Sequence, residues 1–406
     1  MPSPWDKWVP GVLNKNQMKE LLDGGFITSS SEPELDHSSM DLSLSAEGFQ
    51  MTHGSMKPST NASESPYDWF ITQKTKLARK LDKTESDGSI KLTKRSTYVF
   101  RLQQKLGQKL RGAGIYGQAT AKSSVGRVDV LARLIVDGMG TYESFDPGWV
   151  DRGSGDMYLE ITPITFDVRV MPGTSLSQLR LFYGDPNKVV IESNELYRTI
   201  FPHSKNADGS LTADLDDTTI GDPEGGYCCA GSAFCGSSTS GTDSIPLWKS
   251  DQRPDPCRYW KFAQADEFHR LYIESVNFYL LRSKEKLCVP SGVAIYCRAS
   301  DETIGEMRIH YAGFVHPHFG LYRQDGTQGT PLMFEVRGHQ VQVSLADKEK
   351  MANLIFYRMS QDAPVPDQSE IEKDEYANQT LKLSKFFDDW PKNVKRSEDG
   401  TIQKID

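Results

Sequence analysis

An internal repeat constrains the fold of this chain more than any other feature. The stretch YVFRLQQKLGQKLRGAGIYGQATAKSSVGR at 98–127 resembles FYLLRSKEKLCVPSGVAIYCRASDETIGEMR at 278–308. Both lead into a turn built on proline, SFDPGW at 144–149 and FVHPHFG at 314–320. Then follow DMYLEITPITFDVRVMPGTSLSQLRLFYG and PLMFEVRGHQVQVSLADKEKMANLIFYRM, each with a glutamate near the end of a strand, Glu160 or Glu335. Similarity of this length in the same order marks a duplicated unit. Within each copy, short β-prone runs such as RVDVLARLIV and SQLRLFY alternate with turns, the pattern of a β-barrel or jelly roll. The expected fold is therefore mainly β: two superposable lobes over about 95–185 and 265–360, with a few short helices.

The rest of the chain is fitted around those lobes. NKNQMKELLDGG reads as a short helix capped by Asn14 or Asn16 and stopped by Gly24 and Gly25, and SSMDLSL has the alternation of a strand edge. Residues 191–250, with DGSLTADLDDTTIGDPEGG and the Gly/Ser-rich GGYCCAGSAFCGSSTSG, read as a linker or surface insertion. This gives a first lobe over 1–190, the linker over 191–250, a second lobe over 251–362 and a C-terminal arm over 363–406. No run approaches the roughly 18 apolar residues of a membrane span, and MPSPWDKWVPG lacks the apolar core of a signal peptide, so a cytoplasmic location without membrane contact is expected. A formal charge of -8 argues against a broad nucleic-acid face but leaves room for a local basic cluster that binds a small anion. Cys228, Cys229, Cys235, Cys257, Cys288 and Cys297 form no C-x-x-C pair, so free thiols rather than a zinc knot are expected.

The segment AKSSVGR at 121–127 gathers Lys122, Ser123, Ser124 and Arg127 beside a glycine that permits close backbone approach. Hydroxyls supply neutral donors and the cations supply charge, a combination suited to phosphates. Alone the motif is also a common turn.

Its setting gives it weight. AKSSVGR followed by a D-P-G-W turn and an L-E strand resembles the dCTP deaminase/dUTPase superfamily, as do SSMDLSL and the opening helix. HYAGFVHPHFG and FEVR of the second copy extend the resemblance to the double-length dCTP deaminases, over residues 10–185 and 255–390. In single-lobe relatives, which are trimers, the S-S-x-x-R segment and the glutamate of one site come from different subunits. The resemblance implies a composite site here: Lys122, Ser123, Ser124 and Arg127 from lobe one, with Ala312, His316 and Glu335 from lobe two, whose own copy of the serine segment is DETIGEM. Glu160 would be the vestigial counterpart of Glu335. The tail YANQTLKLSKF, with Tyr376, Gln379, Lys382 and Lys385, resembles the arm that closes over the triphosphate, which arrives with Mg²⁺. Trimer-like packing of lobes in a homo-oligomer is implied as well.

Deaminating cytosine requires water to attack C4 and a proton to reach N3 and then the departing ammonia, which one buried carboxylate can carry. Zinc deaminases use H-x-E and P-C-x-x-C, neither of which occurs here. By resemblance Glu335 is the shuttle, Ser123, Arg127 and the Ala312 carbonyl hold the water, and Arg127 keeps Glu335 ionised. Glu335 could instead pair structurally with Arg337, and the H-x-H at 316–318 reads as a packed or solvated pair rather than a metal site. Relatives carry an aspartate at the position of His316 for the deoxyribose, so the sugar contact is altered. Three functions remain open: a dCTP deaminase, a dUTP diphosphatase or bifunctional enzyme, and a non-catalytic nucleotide-binding regulator.

Overall fold

Each half of the computed structural model builds one curled sheet from strands whose side chains alternate between core and surface. Residues 4–58, 67–73, 77–82, 84–204, 207–237, 243–299, 307–309, 313–323, 326–338, 341–373 and 379–405 are described. Lobe one contains β1 (Ser39–Met51), β2 (Tyr98–Leu106), β3 (Ile115–Ala121), β4 (Val130–Val136), β5 (Ser144–Phe145), β6 (Asp156–Pro163) and β7 (Ser175–Tyr183). Lobe two contains β8 (Ser210–Asp214), β9 (Asn277–Leu287), β10 (Val293–Ala299), β11 (Met307–Ile309), β12 (Gly313–Val315), β13 (Thr330–Gly338) and β14 (Lys350–Arg358). Their spatial orders are β5-β3-β7-β1-β2-β6-β4 and β12-β10-β14-β8-β9-β13-β11. The second order is the first repeated, so the duplication holds strand by strand. Register agrees: Glu160 lies opposite Val99 of β2, and Glu335 opposite Leu280 of β9.

The span 191–250, expected as a linker or insertion, instead supplies part of lobe two. β8 is the counterpart of β1, pairing with β14 (Leu211 opposite Ala352) and with β9 (Ala213 opposite Ser283). Its flanking Asp-Gly and Asp-Asp pairs look like turns, but Leu211 and Ala213 are fully buried and their burial decides the conformation. The cysteine-bearing residues 227–237 are likewise not a loose loop, because Tyr227–Gly231 and Ala233–Ser237 are strands and the second pairs with β9. Gly231 is needed there, since a Cβ would meet the Phe262 ring at 2.5 Å.

The lobes share an apolar seam. Phe278 and Leu280 of β9 belong to the cluster that fills lobe one, whereas Tyr279 and Leu281 point into lobe two's own core. Ile245–Pro246 extends the contact by pairing in parallel with Val168–Val170 of lobe one. Helix α1 (Lys15–Asp23) has the capping box expected of Asn14: its Oδ1 accepts from the Gln17 amide at 3.0 Å, and the Gln17 side chain accepts from the Asn14 amide at 3.1 Å. The same two side chains reach the end of lobe two, Asn14 to the Asp362 carbonyl (2.9 Å) and Gln17 to Ser360 Oγ (2.9 Å).

The C-terminal arm is also built in. Leu381, Leu383, Phe386 and Phe387 are buried in the lobe-one cluster, and burying each such side chain contributes about 1.5–3 kcal/mol. Its apolar residues thus hold 379–387 in place independently of any charge that a triphosphate would supply. Among the described residues no helix is long and apolar enough to cross a membrane.

Candidate active site

The serine-bearing segment leaves β3 at Ala121 and makes one helical turn, α3 (Ser123–Gly126), before Arg127 and β4. Ser123 is exposed on that turn, while Ser124 and Arg127 are buried. Three features of the arm fix the turn. Ser384 Oγ donates to the Ser124 carbonyl at 2.6 Å, and Arg127 Nη1 donates to the Lys382 carbonyl at 3.2 Å. Arg127 Nη2 donates to Gln379 Oε1 at 2.7 Å, and Gln379 Nε2 in turn donates to the Pro331 carbonyl of β13 at 2.8 Å. Gln379, expected to touch substrate, is thus a buried clasp between the arginine of lobe one and the glutamate strand of lobe two. Lys382 is half-buried and Lys385 exposed on the same arm.

On β13 the even-numbered Phe334 and Val336 enter lobe two's core. Met333, Glu335 and Arg337 therefore project from the other face, where Met333 packs on the lobe-one cluster. Glu335 is 4% exposed. Burial pushes its carboxyl up to about 8, and the opposing pull of Arg127 is the smaller effect. The expectation that Arg127 keeps Glu335 ionised is corrected accordingly: the cation is close enough to act, but desolvation wins. Nor is Arg337 the partner of Glu335. It forms an ion pair with the fully buried Asp129 of lobe one and donates to Thr165 Oγ1 at 2.8 Å.

The proline turn of lobe two approaches α3 from the other side. His316 Nδ1 lies 3.0 Å from Ser38 Oγ and Nε2 lies 3.4 Å from Asp36 Oδ2. Burial holds this histidine well below its usual range, so it is neutral at physiological pH and its contact with Asp36 is dipolar. Lys122, beside the same group, pairs with Asp41 of β1. Arg180, which sequence reasoning passed over, anchors the turn. It is fully buried, donates to the Ile295 carbonyl at 2.8 Å and to Ser38 Oγ at 3.2 Å, and stacks 4.0 Å above the Phe314 ring. Ala312 and Tyr376 lie outside the described residues, as does 301–306 of DETIGEM.

Glu160, the counterpart of Glu335, has a different setting. Ser55 Oγ donates to it at 3.0 Å and Tyr142 Oη at 2.9 Å. Tyr67 and Ile71 of helix α2 (Tyr67–Gln73) pack with Val99, Ile135 and Tyr158 over the same face of lobe one. Among the described residues, carboxylates from Asp214, Asp216 and Asp347 come within 4.8 Å of one another, but Lys284 Nζ reaches Asp214 at 3.0 Å and Asp216 at 2.7 Å. Arg282 also pairs with Asp214 at 2.7 Å, so these acids are already engaged by cations of lobe two.

Comparison with known proteins agrees with the duplicated geometry. The N-terminal domain profile of 2'-deoxycytidine 5'-triphosphate deaminase matches residues 9–185, and the C-terminal domain profile matches 241–387. The chain belongs to the dCTP deaminase family. It is a double-length member and, as such, an enzyme of dCTP deamination. The crystal structure of 2'-deoxycytidine 5'-triphosphate deaminase from Agrobacterium tumefaciens has the same fold, with a TM-score of 0.73 at 24% identity over 87% of this chain and 96% of that one. No curated protein sequence matches significantly. In this deaminase the region between the two profiles carries β8, without which lobe two would lack its counterpart of β1.

Proposed function

We propose that the deaminase converts dCTP to dUTP and ammonia at one site per chain, formed where α3 of lobe one meets β13 of lobe two. The observation that carries this reading is Glu335: a buried carboxyl with its pKa near 8, within electrostatic reach of Arg127 from the other lobe. Such a group exists in both protonation states close to neutral pH, as a proton shuttle must.

Glu335 would take a proton from water as its oxygen attacks C4 and deliver it to N3. A second transfer, from the new hydroxyl through Glu335 to the amino group, lets the C4–N bond break, releasing ammonia and leaving the C4 carbonyl of uracil. No protein-bound zinc is needed for these transfers. Arg127 would face the developing negative charge, and Ser123, exposed on α3, would hold the water together with the Ala312 carbonyl. Lys122, Ser124, Tyr376, Lys382 and Lys385 would serve the triphosphate, with His316 beside the sugar. The available cations and hydroxyls suit phosphate oxygens, so Mg²⁺ would enter bound to the triphosphate and offset its charge.

Purified enzyme incubated with dCTP should release ammonia and dUTP, and Glu335→Gln should not. Pyrophosphate appearing together with dUMP would show that the diphosphatase reaction belongs to the same site. Absence of ammonia from the wild-type protein would overturn the reading.

A further inference from the structure

We infer that Asp129 and Arg337 are a positioning pair that sets the separation between Arg127 and Glu335, so that turnover depends on a residue pair that touches no substrate. This rests on the composite-site reading above. Each member lies two residues from a proposed catalytic group: Asp129 follows Arg127 out of α3, and Arg337 shares a strand face with Glu335. The ion pair joins the two lobes directly. Asp129 is fully buried and also accepts from Thr165 Oγ1, which itself receives the 2.8 Å bond from Arg337.

The backbone supports this assignment. Asp129 has φ of 57°, in the left-handed region where glycine is unstrained, yet the position carries a side chain. That carboxylate is used across the lobe boundary. The position equivalent to Arg337 is Thr162, two places after Glu160, whose hydroxyl donates to Thr97 at 3.1 Å within the same lobe. The cross-lobe pair therefore accompanies Glu335 and not its copy.

The test compares Asp129→Asn, which tolerates the same backbone conformation, with Arg337→Met and Arg337→Lys in the full-length enzyme. Thermal melting, KM and kcat for dCTP, and the pH profile of kcat/KM would be measured for each. Among the described residues the ionisable groups that act electrostatically with Glu335 are Arg127 from the end of α3 and Cys297 from β10, while Arg337, two residues on along its own strand, is directed to Asp129. Burial pushes the Cys297 thiol to about 12, which keeps it neutral throughout the profile. Loosening the pair should draw Arg127 away, so the pH limb due to Glu335 should move upward. We expect kcat to fall about tenfold or more in Asp129→Asn and Arg337→Met, KM to stay within about twofold, and Arg337→Lys to recover part of the loss. Folded variants with wild-type kcat and an unshifted limb would overturn the inference, as would a lower melting temperature with both kinetic readouts unchanged. Glu335→Gln, assayed alongside, separates the two claims: if it turns over normally, the composite-site reading itself fails.

Discussion

Glu160 and Glu335 occupy the same position in two copies of one sheet, and their surroundings differ in kind. Glu160 is covered by lobe one's own segment around Ser55 and α2, and two hydroxyls satisfy its carboxylate. Glu335 projects toward the other lobe, and the cation that acts on it, Arg127, comes from that lobe, whereas the cation beside Glu160 is Arg133 of its own lobe. Duplication preserved the strand that presents a buried glutamate, while the residues laid against that strand decide what the carboxyl can do. Burial raises both carboxyls, but the hydroxyl bonds to Glu160 offset part of the cost, and the carboxyl of Glu335 reaches about 8.

The largest expected effect separates the two glutamates by catalysis. Glu335→Gln should keep fold and nucleotide affinity and lower ammonia release from dCTP by roughly a hundredfold or more, the usual scale for losing a general acid/base. Glu160→Gln should leave turnover near wild type. If Glu160→Gln abolished activity while Glu335→Gln preserved it, the roles of the lobes would be exchanged.

Arg127→Ala should resemble Glu335→Gln in turnover although it lies in the other lobe. The double variant should lose little more than either single one, because both residues act on one developing charge. Fully multiplied losses would show that they act independently. The variant also removes the partner of Gln379, so melting should be followed in parallel.

A third difference concerns pH. The folded pKa of Glu335 is raised from an ordinary 4.5 to about 8, so the stability associated with the neutral acid is complete below about pH 4.5 and is lost as pH rises toward 8. Glu335→Gln cannot ionise. Its stability relative to wild type, followed by melting, should therefore climb across that window by an amount on the order of a few kcal/mol and level off above it. A gap independent of pH would mean that Glu335 is not buried as a neutral acid. The smallest effect belongs to lobe one: Tyr142→Phe removes one donor to Glu160 and should cost about 1 kcal/mol of stability without altering kcat.

Much of this arrangement was legible in the sequence. The repeat fixed the two lobes because equivalent strands keep equivalent spacing, Glu335 and Glu160 stood out because a glutamate recurs at the same place in both copies, and AKSSVGR stood out by its residue types and setting in one copy alone. Three features were hidden for physical reasons. β8 sits between acidic, turn-like residues, and only its pairing with β9 and β14 shows that Leu211 and Ala213 are core. The arm opens with the Pro- and acid-rich residues 363–375, yet four apolar side chains farther on, Leu381, Leu383, Phe386 and Phe387, dock it against lobe one. The clasp through Gln379, the Asp129–Arg337 pair and the anchor Arg180 join residues more than 100 positions apart, so no local pattern announces them. The resemblance paired Arg127 with Glu335, but the balance between burial and charge at that carboxyl required knowing how little solvent reaches the strand.

The central claim is that one chain supplies both halves of its site. Mixing Arg127→Ala with Glu335→Gln, each inactive alone, tests it most directly through ammonia release from dCTP over a range of protein concentrations. A site built within the chain predicts that the mixture stays as inactive as its components at every concentration, because no chain carries both residues. Recovery toward a quarter or more of wild-type activity, rising with concentration, would place Arg127 and Glu335 of each working site on different chains and contradict the account.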